Sequence, residues 1–122
     1  MLTRRQSFQA WLERGAFDIV QPDATKCGGL TEARRIAWMA YDHNIQFVSH
    51  GWNTAVGLAA DLHLAAAIPV ARFVEFLTPA PYIDRLLVEP FRLDSEGYLS
   101  IPEKPGLGIE LDRAALAHFA SP

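Results

Sequence analysis

Three short apolar runs, each followed by a polar turn and a stretch with helical periodicity, constrain this fold most. The runs cover residues 17–21, 45–48 and 72–77. Apolar side chains recur at three- and four-residue spacing between them, which is typical of amphipathic helices. Strands that alternate with helices through short loops predict a parallel sheet covered by helices in right-handed crossovers. Because the runs are almost continuously apolar, we expect both faces of the sheet to be buried.

The same periodicity predicts helices over about residues 5–14, 31–44 and 55–67. We expect Gly15 to end the first helix, Thr31 to cap the second, and Pro69 to stop the third. The third helix is apolar almost all round, which indicates neighbours on several sides.

The pattern changes near Pro79 to turns rich in proline and glycine. A hairpin is predicted over residues 91–101, and a last helix is predicted to begin at Asp112. We therefore expect a barrel-like unit over residues 1–79 and a tail over residues 80–122.

Composition excludes several classes of protein. The chain has 122 residues, half of them hydrophobic, and a formal charge of -3 with both signs interspersed, so no basic stripe favours nucleic acid or an anionic membrane. Cys27 is the single cysteine, which excludes a disulfide scaffold and fits a reducing compartment. The sequence has neither a signal-like apolar start nor a membrane-spanning run. We expect a cytoplasmic protein with a small-molecule ligand.

Polar side chains stand where the predicted strands end. Asp23 follows the first strand, His50 follows the second, and Glu75 lies in the third. Because the carboxyl ends of parallel strands meet at one mouth of a barrel, we expect these three groups to converge there. Lys26, Trp52 and Asn53 lie in the same loops and are candidates for substrate contact.

Several motifs occur together in this chain. They are Asp-Ile-Val-Gln-Pro-Asp at 18–23, Gly-Gly-Leu-Thr-Glu-Ala at 28–33, Ser-His at 49–50, His-Leu-Ala-Ala at 63–66, Glu75, Pro-Gly-Leu-Gly-Ile at 105–109 and Asp112. With these motifs the chain resembles the C-terminal part of the enolase superfamily, in its mandelate-racemase-like branch, which includes many acid-sugar dehydratases. The resemblance implies strands six to eight of a modified (β/α) barrel, with a tail that packs towards a capping domain.

The resemblance also implies roles for the strand-end residues. Asp23 and His50 would form an Asp-His dyad, and Glu75 would be the acid of strand eight. A neutral histidine can take the proton next to a substrate carboxylate and return it to a leaving hydroxyl, while a carboxylate on its other nitrogen orients the ring. Glu75, if protonated, would donate a hydrogen bond to the enolate.

The resemblance further implies Mg²⁺ as cofactor and a sugar acid as substrate. Its three carboxylate metal ligands would end strands three, four and five, and a lysine-bearing motif would end strand two. None of these groups is in this chain, so we expect an incomplete barrel with no metal ligands of its own.

Several alternatives stay open at this point. Dehydration is preferred over racemisation because one base can serve it, whereas a racemase needs a second base on the opposite face. Muconate-type cycloisomerases and dipeptide epimerases are disfavoured, since that branch has lysine at the strand-six position. In a different class, the chain is a catalytically inert, truncated half-barrel. Because its strand edges and apolar faces would be bare, we expect a homo-oligomer or a complementary barrel fragment as partner.

Overall fold

A computed structural model describes residues 1–120 as a three-stranded parallel sheet with helices packed on one face. The elements are α1 (Arg5–Leu12), β1 (Ile19–Val20), α2 (Gly29–Asp42), β2 (Gln46–Ser49), α3 (Ala55–Ala66), β3 (Ala71–Val74), α4 (Pro81–Asp84) and α5 (Arg113–Phe119). The strand order is β1-β2-β3 and both pairings are parallel. The predicted alternation of strand and helix is thereby confirmed, and the sheet is not closed.

The start of α2 differs from the prediction. The helix begins at Gly29, so Thr31 lies inside its first turn and the expected cap at Thr31 is wrong. The chain enters the helix through Gly28 and Gly29, with φ angles of 105° and 85°. Only glycine adopts such angles at little cost, so this pair makes the turn and replaces a side-chain cap.

The core lies between the sheet and the first two helices. Phe8, Leu12, Val20, Ile36 and Phe47 are each at most 4% exposed there. The opposite side, which we call the open face, carries Ile19, Val48 and Phe73, and Ile19 and Phe73 are 50% and 65% exposed. The expectation that both faces are buried is therefore wrong for residues 1–120. The apolar runs are long enough for two buried faces, but the sheet does not curl round to cover the second.

The pairing of β2 with β3 contains a bulge. Phe47 pairs with Ala71, whereas Val48 pairs with Phe73, so Arg72 is an extra residue in β3. From there the register continues with Ser49 opposite Val74. The two residues that follow, His50 and Glu75, consequently leave the sheet at the same level.

The tail, from residue 80 onward, packs by a few specific contacts. The predicted hairpin is reduced to one antiparallel bridge between Leu93 and Leu99. The predicted helix start is confirmed, because Asp112 Oδ1 accepts hydrogen bonds from the backbone N–H groups of Ala114 and Ala115 at 2.8 and 2.9 Å. Within residues 1–120 every helix is too short or too polar to cross a bilayer.

Candidate active site

Asp23 and His50 meet at the carboxyl ends of β1 and β2. His50 Nδ1 lies 3.0 Å from Asp23 Oδ2, and the His50 backbone N–H donates to Pro22 O at 3.0 Å. With Nδ1–H donating to the carboxylate, the lone pair of the ring is on Nε2. The geometry therefore presents Nε2 as a proton acceptor.

Asp23 is held by its own loop. Its Oδ1 accepts from Thr25 N at 2.8 Å and from Thr25 Oγ1 at 2.5 Å, while Lys26 Nζ pairs with Oδ2. Burial raises the pKa of Asp23, but hydrogen bonds from Lys26, Thr25 and His50 outweigh it and lower the pKa to about 2. Asp23 is thus ionised at neutral pH and suited to orient a histidine and to stabilise its charged form.

Glu75 is tied to the segment that carries His50. Glu75 Oε2 accepts a hydrogen bond from the Gly51 backbone N–H at 2.6 Å. A Cβ atom at position 51 would overlap the Glu75 carbonyl oxygen and lie 3.2 Å from Glu75 Cβ. Only glycine permits this close approach of the two chain segments. All three predicted strand-end groups therefore stand on one rim of the sheet.

The three candidates for substrate contact have different surroundings. Trp52, two residues after His50, is 63% exposed. The Lys26 ammonium is engaged with Asp23. The side-chain amide atoms of Asn53 are buried against α3, where Gly57 leaves room for them. Substrate contact by these residues stays a prediction, which the geometry of Asn53 does not support.

Two residues of this region were missed in the sequence. Thr25 donates two hydrogen bonds to Asp23. The Asp-x-Thr spacing, which is typical of a turn stabilised by an aspartate side chain, could have indicated this contact. Asp61 is 0% exposed in α3, the helix expected to be apolar almost all round. Burial raises the pKa of Asp61 to about 6, although the adjacent Asn53 and Ser49 act to lower it. A lone acid in an apolar helix was the signal here.

A cleft of about 310 Å³ adjoins the dyad. It is lined by Asp23 and His50 together with Gln21 and the apolar residues Met1, Leu2, Phe8, Phe17, Ile19 and Val20. The dyad therefore faces a mostly apolar space along the free edge of β1.

The side chains present do not fit a metal ion. In residues 1–120 no group of three or more His, Cys, Asp or Glu side chains is placed to hold one. The Mg²⁺ that the resemblance implies has no ligand set in the described part of this chain.

Comparison with known proteins gives consistent relationships. A family model described as enolase C-terminal domain-like matches residues 1–115. A D-galactarolactone cycloisomerase from Agrobacterium fabrum is 40% identical over 91% of this chain, and a D-xylonate dehydratase from Haloferax volcanii is 38% identical over 88%. A crystal structure of a mandelate racemase/muconate lactonizing enzyme from Sulfitobacter sp. superposes with a TM-score of 0.86, at 36% identity over 96% of this chain.

The coverage of these relatives is partial. The chain spans 32% of the cycloisomerase, 26% of the dehydratase and 29% of the crystallised protein. It corresponds to between about a quarter and a third of each.

Proposed function

This chain belongs to the enolase C-terminal domain-like family, of the mandelate racemase and muconate lactonizing enzyme type, and from that premise we propose that it is part of a sugar-acid dehydratase. The observation that supports the proposal is the contact of His50 Nδ1 with Asp23 Oδ2 at 3.0 Å, at the carboxyl end of a parallel sheet. Active sites of parallel barrels are built at this end. The dehydratase among the relatives gives the class of reaction.

His50 performs both proton transfers in this proposal. Its Nε2 takes the proton from the carbon next to the substrate carboxylate, which leaves an enolate. The imidazolium then gives that proton to the departing hydroxyl on the neighbouring carbon, so that water leaves and an enol remains. Because Asp23 is ionised, it stabilises the imidazolium between the two steps.

Glu75 is assigned to the enolate. Its Oε2 is held by the Gly51 N–H, and Oε1 is the oxygen that would donate a hydrogen bond to the developing oxyanion if the acid is protonated when substrate is bound. Trp52, exposed two residues after His50, provides an apolar wall for the substrate. Lys26 acts through its ion pair with Asp23, where it helps to keep that carboxylate ionised.

No step within this chain is assigned to a metal ion. The described residues offer no ligand set, so Mg²⁺ would have to be held by side chains outside this chain. The cleft beside the dyad is mostly apolar, and donors for the sugar hydroxyls would likewise come from elsewhere. A complementary polypeptide segment and a cytoplasmic location belong to the same proposal.

Two other functions have a specific observation in their favour. A cycloisomerase is favoured by the 40% identity to the D-galactarolactone enzyme, and it would use His50 on a lactone ring. An inert half-barrel is favoured by the lack of a metal-ligand cluster among residues 1–120 and by the exposed Phe73 on the open face. A racemase would need a second base on the opposite side of the substrate from His50.

The coding sequence upstream of Met1 provides the first test. Three further acidic strand ends there would supply the missing ligand set. The protein that contains them is then assayed with Mg²⁺ on a panel of sugar acids, by formation of the keto product, and on galactarolactone for cycloisomerisation. Turnover of a sugar acid supports the dehydratase. Turnover of the lactone alone replaces it with the cycloisomerase, and turnover of neither contradicts both. A coding sequence without the acidic strand ends supports the inert half-barrel.

A further inference from the structure

A buried polar cluster lies behind the segment that carries His50. We define it by Ser49 at the end of β2, Asn53 in the following loop and Asp61 in α3. Ser49 and Asp61 are 1% and 0% exposed. Among residues 1–120, the Ser49 hydroxyl, both amide atoms of Asn53 and both carboxylate oxygens of Asp61 lack a partner with hydrogen-bond geometry. Buried polar groups are almost always paired, so five unpaired atoms in one place require an explanation.

The three side chains are close enough to act on each other. Burial raises the pKa of Asp61, and the adjacent Asn53 and Ser49 lower it. The Asp61 carboxylate can accept from the Ser49 hydroxyl and from the Asn53 amide N–H, and protonated Asp61 can in addition donate to the Asn53 amide oxygen, so the cluster can pair its members internally.

Gly57 provides independent support for this arrangement. A Cβ atom at position 57 would overlap the Asn53 side chain, so the amide lies directly on the helix backbone. Glycine inside a helix is unfavourable compared with alanine, and here the space it leaves is filled by Asn53. Asp61 is one helical turn after Gly57 and lies on the same face of α3. Asn53, Gly57 and Asp61 thus form a continuous row from the loop into the core.

We propose that Asp61 is a positioning residue, which binds Asn53 and Ser49 and thereby holds the segment from residue 49 to residue 54 against α3. That segment carries His50 and Trp52, and its Gly51 N–H binds Glu75. The consequence for catalysis rests on the proposed function, whereas the contact itself does not. Asp61 does not touch the reacting atoms and acts through the loop that presents His50.

Hydrogen–deuterium exchange tests the contact without an activity assay. Exchange of the peptide that covers residues 49–54 is measured by mass spectrometry on the full 122-residue chain, in whatever assembly it forms. Asp61→Leu removes the polar contacts and fills the volume, while Asp61→Asn keeps the size and the hydrogen-bonding capacity. Leu62→Ala is the matched control, because Leu62 is also buried in α3, at 4% exposure, and is not in the cluster.

We expect Asp61→Leu to speed exchange of this peptide by roughly five- to tenfold, because it removes one or more hydrogen bonds. Asp61→Asn should change the exchange rate by less than about twofold. Leu62→Ala should not affect this peptide more than peptides of α2. An unchanged peptide in Asp61→Leu, or the same local effect in Leu62→Ala, overturns the proposal.

A second variant covers the case in which Asp61→Leu does not fold. Asn53→Ala removes the opposite end of the row and should speed exchange of the same peptide by a similar factor. If it leaves the peptide unchanged, Asp61 does not hold the loop through Asn53. If a variant loses turnover but exchange of this peptide is unchanged, the positioning role is contradicted. If exchange changes in the variants but the natural protein has no turnover, only the proposed function is contradicted.

Discussion

A Cβ atom on Gly57 would occupy the place of the Asn53 side-chain amide, so the loop after His50 is packed directly on the backbone of α3. This contact determines whether an alanine at position 57 raises or lowers the free energy of unfolding. In an ordinary helix interior, Gly→Ala stabilises by about 1 kcal/mol. Here we expect Gly57→Ala to lower the free energy of unfolding by about 1–2 kcal/mol, because the added methyl displaces Asn53. Urea unfolding measures the difference.

The matched experiment adds Asn53→Ala. With the amide removed, the methyl has room and Gly57→Ala should become stabilising by about 0.5–1 kcal/mol in that background. If the effects of the two substitutions on the free energy of unfolding are additive, the methyl group does not clash with Asn53 and the prediction is wrong.

The dyad predicts a large effect on turnover. His50→Gln keeps an amide of similar reach but cannot act as a base, so the rate of proton abstraction should fall by about 10²–10⁴-fold. His118→Gln, an exposed histidine in α5, should leave the rate unchanged. Loss of the substrate α-proton into solvent, followed by NMR in the assembled enzyme, measures the step directly. Equal rates for His50→Gln and the natural protein would remove His50 from the mechanism.

The pKa of Asp23 predicts loss of stability in acid. Its pKa falls from 3.8 in the unfolded chain to about 2 in the fold. Asp23 therefore contributes about 2 kcal/mol at neutral pH, and this contribution is lost as pH falls from about 4 to 2. Asp23→Asn should flatten this part of the curve, whereas Asp42→Asn at the exposed end of α2 should not. A curve that keeps its slope in Asp23→Asn would contradict the assignment.

The pKa of Asp61 predicts a slope of the opposite sign. Burial raises its pKa from 3.8 to about 6, so the folded state binds a proton that the unfolded chain releases. Stability should therefore increase by up to about 3 kcal/mol as pH falls from about 6 to 4. Asp61→Asn should abolish this increase. The loss of stability in acid that Asp23 causes should remain. Thermal unfolding over pH 3–8 checks both, and an unchanged increase in Asp61→Asn would exclude Asp61 as its source.

The open face predicts association. Phe73 is 65% exposed and Ile19 is 50% exposed on the open face, so we expect the chain to self-associate or to bind a complementary segment. Phe73→Lys should shift the chain towards monomer in sedimentation velocity. Tyr41→Lys, on the outer face of α2 at 47% exposure, is the control and should have no effect. Association that survives Phe73→Lys would place the interface elsewhere.

The order of elements could be predicted because apolar runs and helical periodicity are local signals. The strand-end positions of Asp23 and His50 followed from the same runs, and their contact required only that neighbouring parallel strands end at one rim. The start of α2 could not be predicted in this way. The first residue of the helix is determined by the left-handed backbone angles of Gly28 and Gly29. Thr31 is only a residue type that is common at helix N-caps.

Burial was harder to predict than secondary structure. The apolar runs predicted a sheet with two buried faces. Ile19 and Phe73 are nevertheless exposed, because burial of the open face would need further strands that residues 1–120 do not form. Asp61 was overlooked since its neighbours are apolar, and its importance emerges only when Ser49 and Asn53 are brought beside it. The division of the chain near Pro79 stays a prediction.

The extra residue in β3 has a consequence for how such a site can change over time. Because Arg72 is unpaired, Val74 stands opposite Ser49 and Glu75 is level with His50. Removal of Arg72 itself would leave Phe73 opposite Val48, Val74 opposite Ser49 and Glu75 level with His50. A residue inserted between Val74 and Glu75 would instead move the acid on by one position and, since neighbouring side chains alternate in direction, turn it away from the imidazole. A single codon lost at the bulge thus leaves the acid on this rim, whereas a single codon gained after it withdraws the acid.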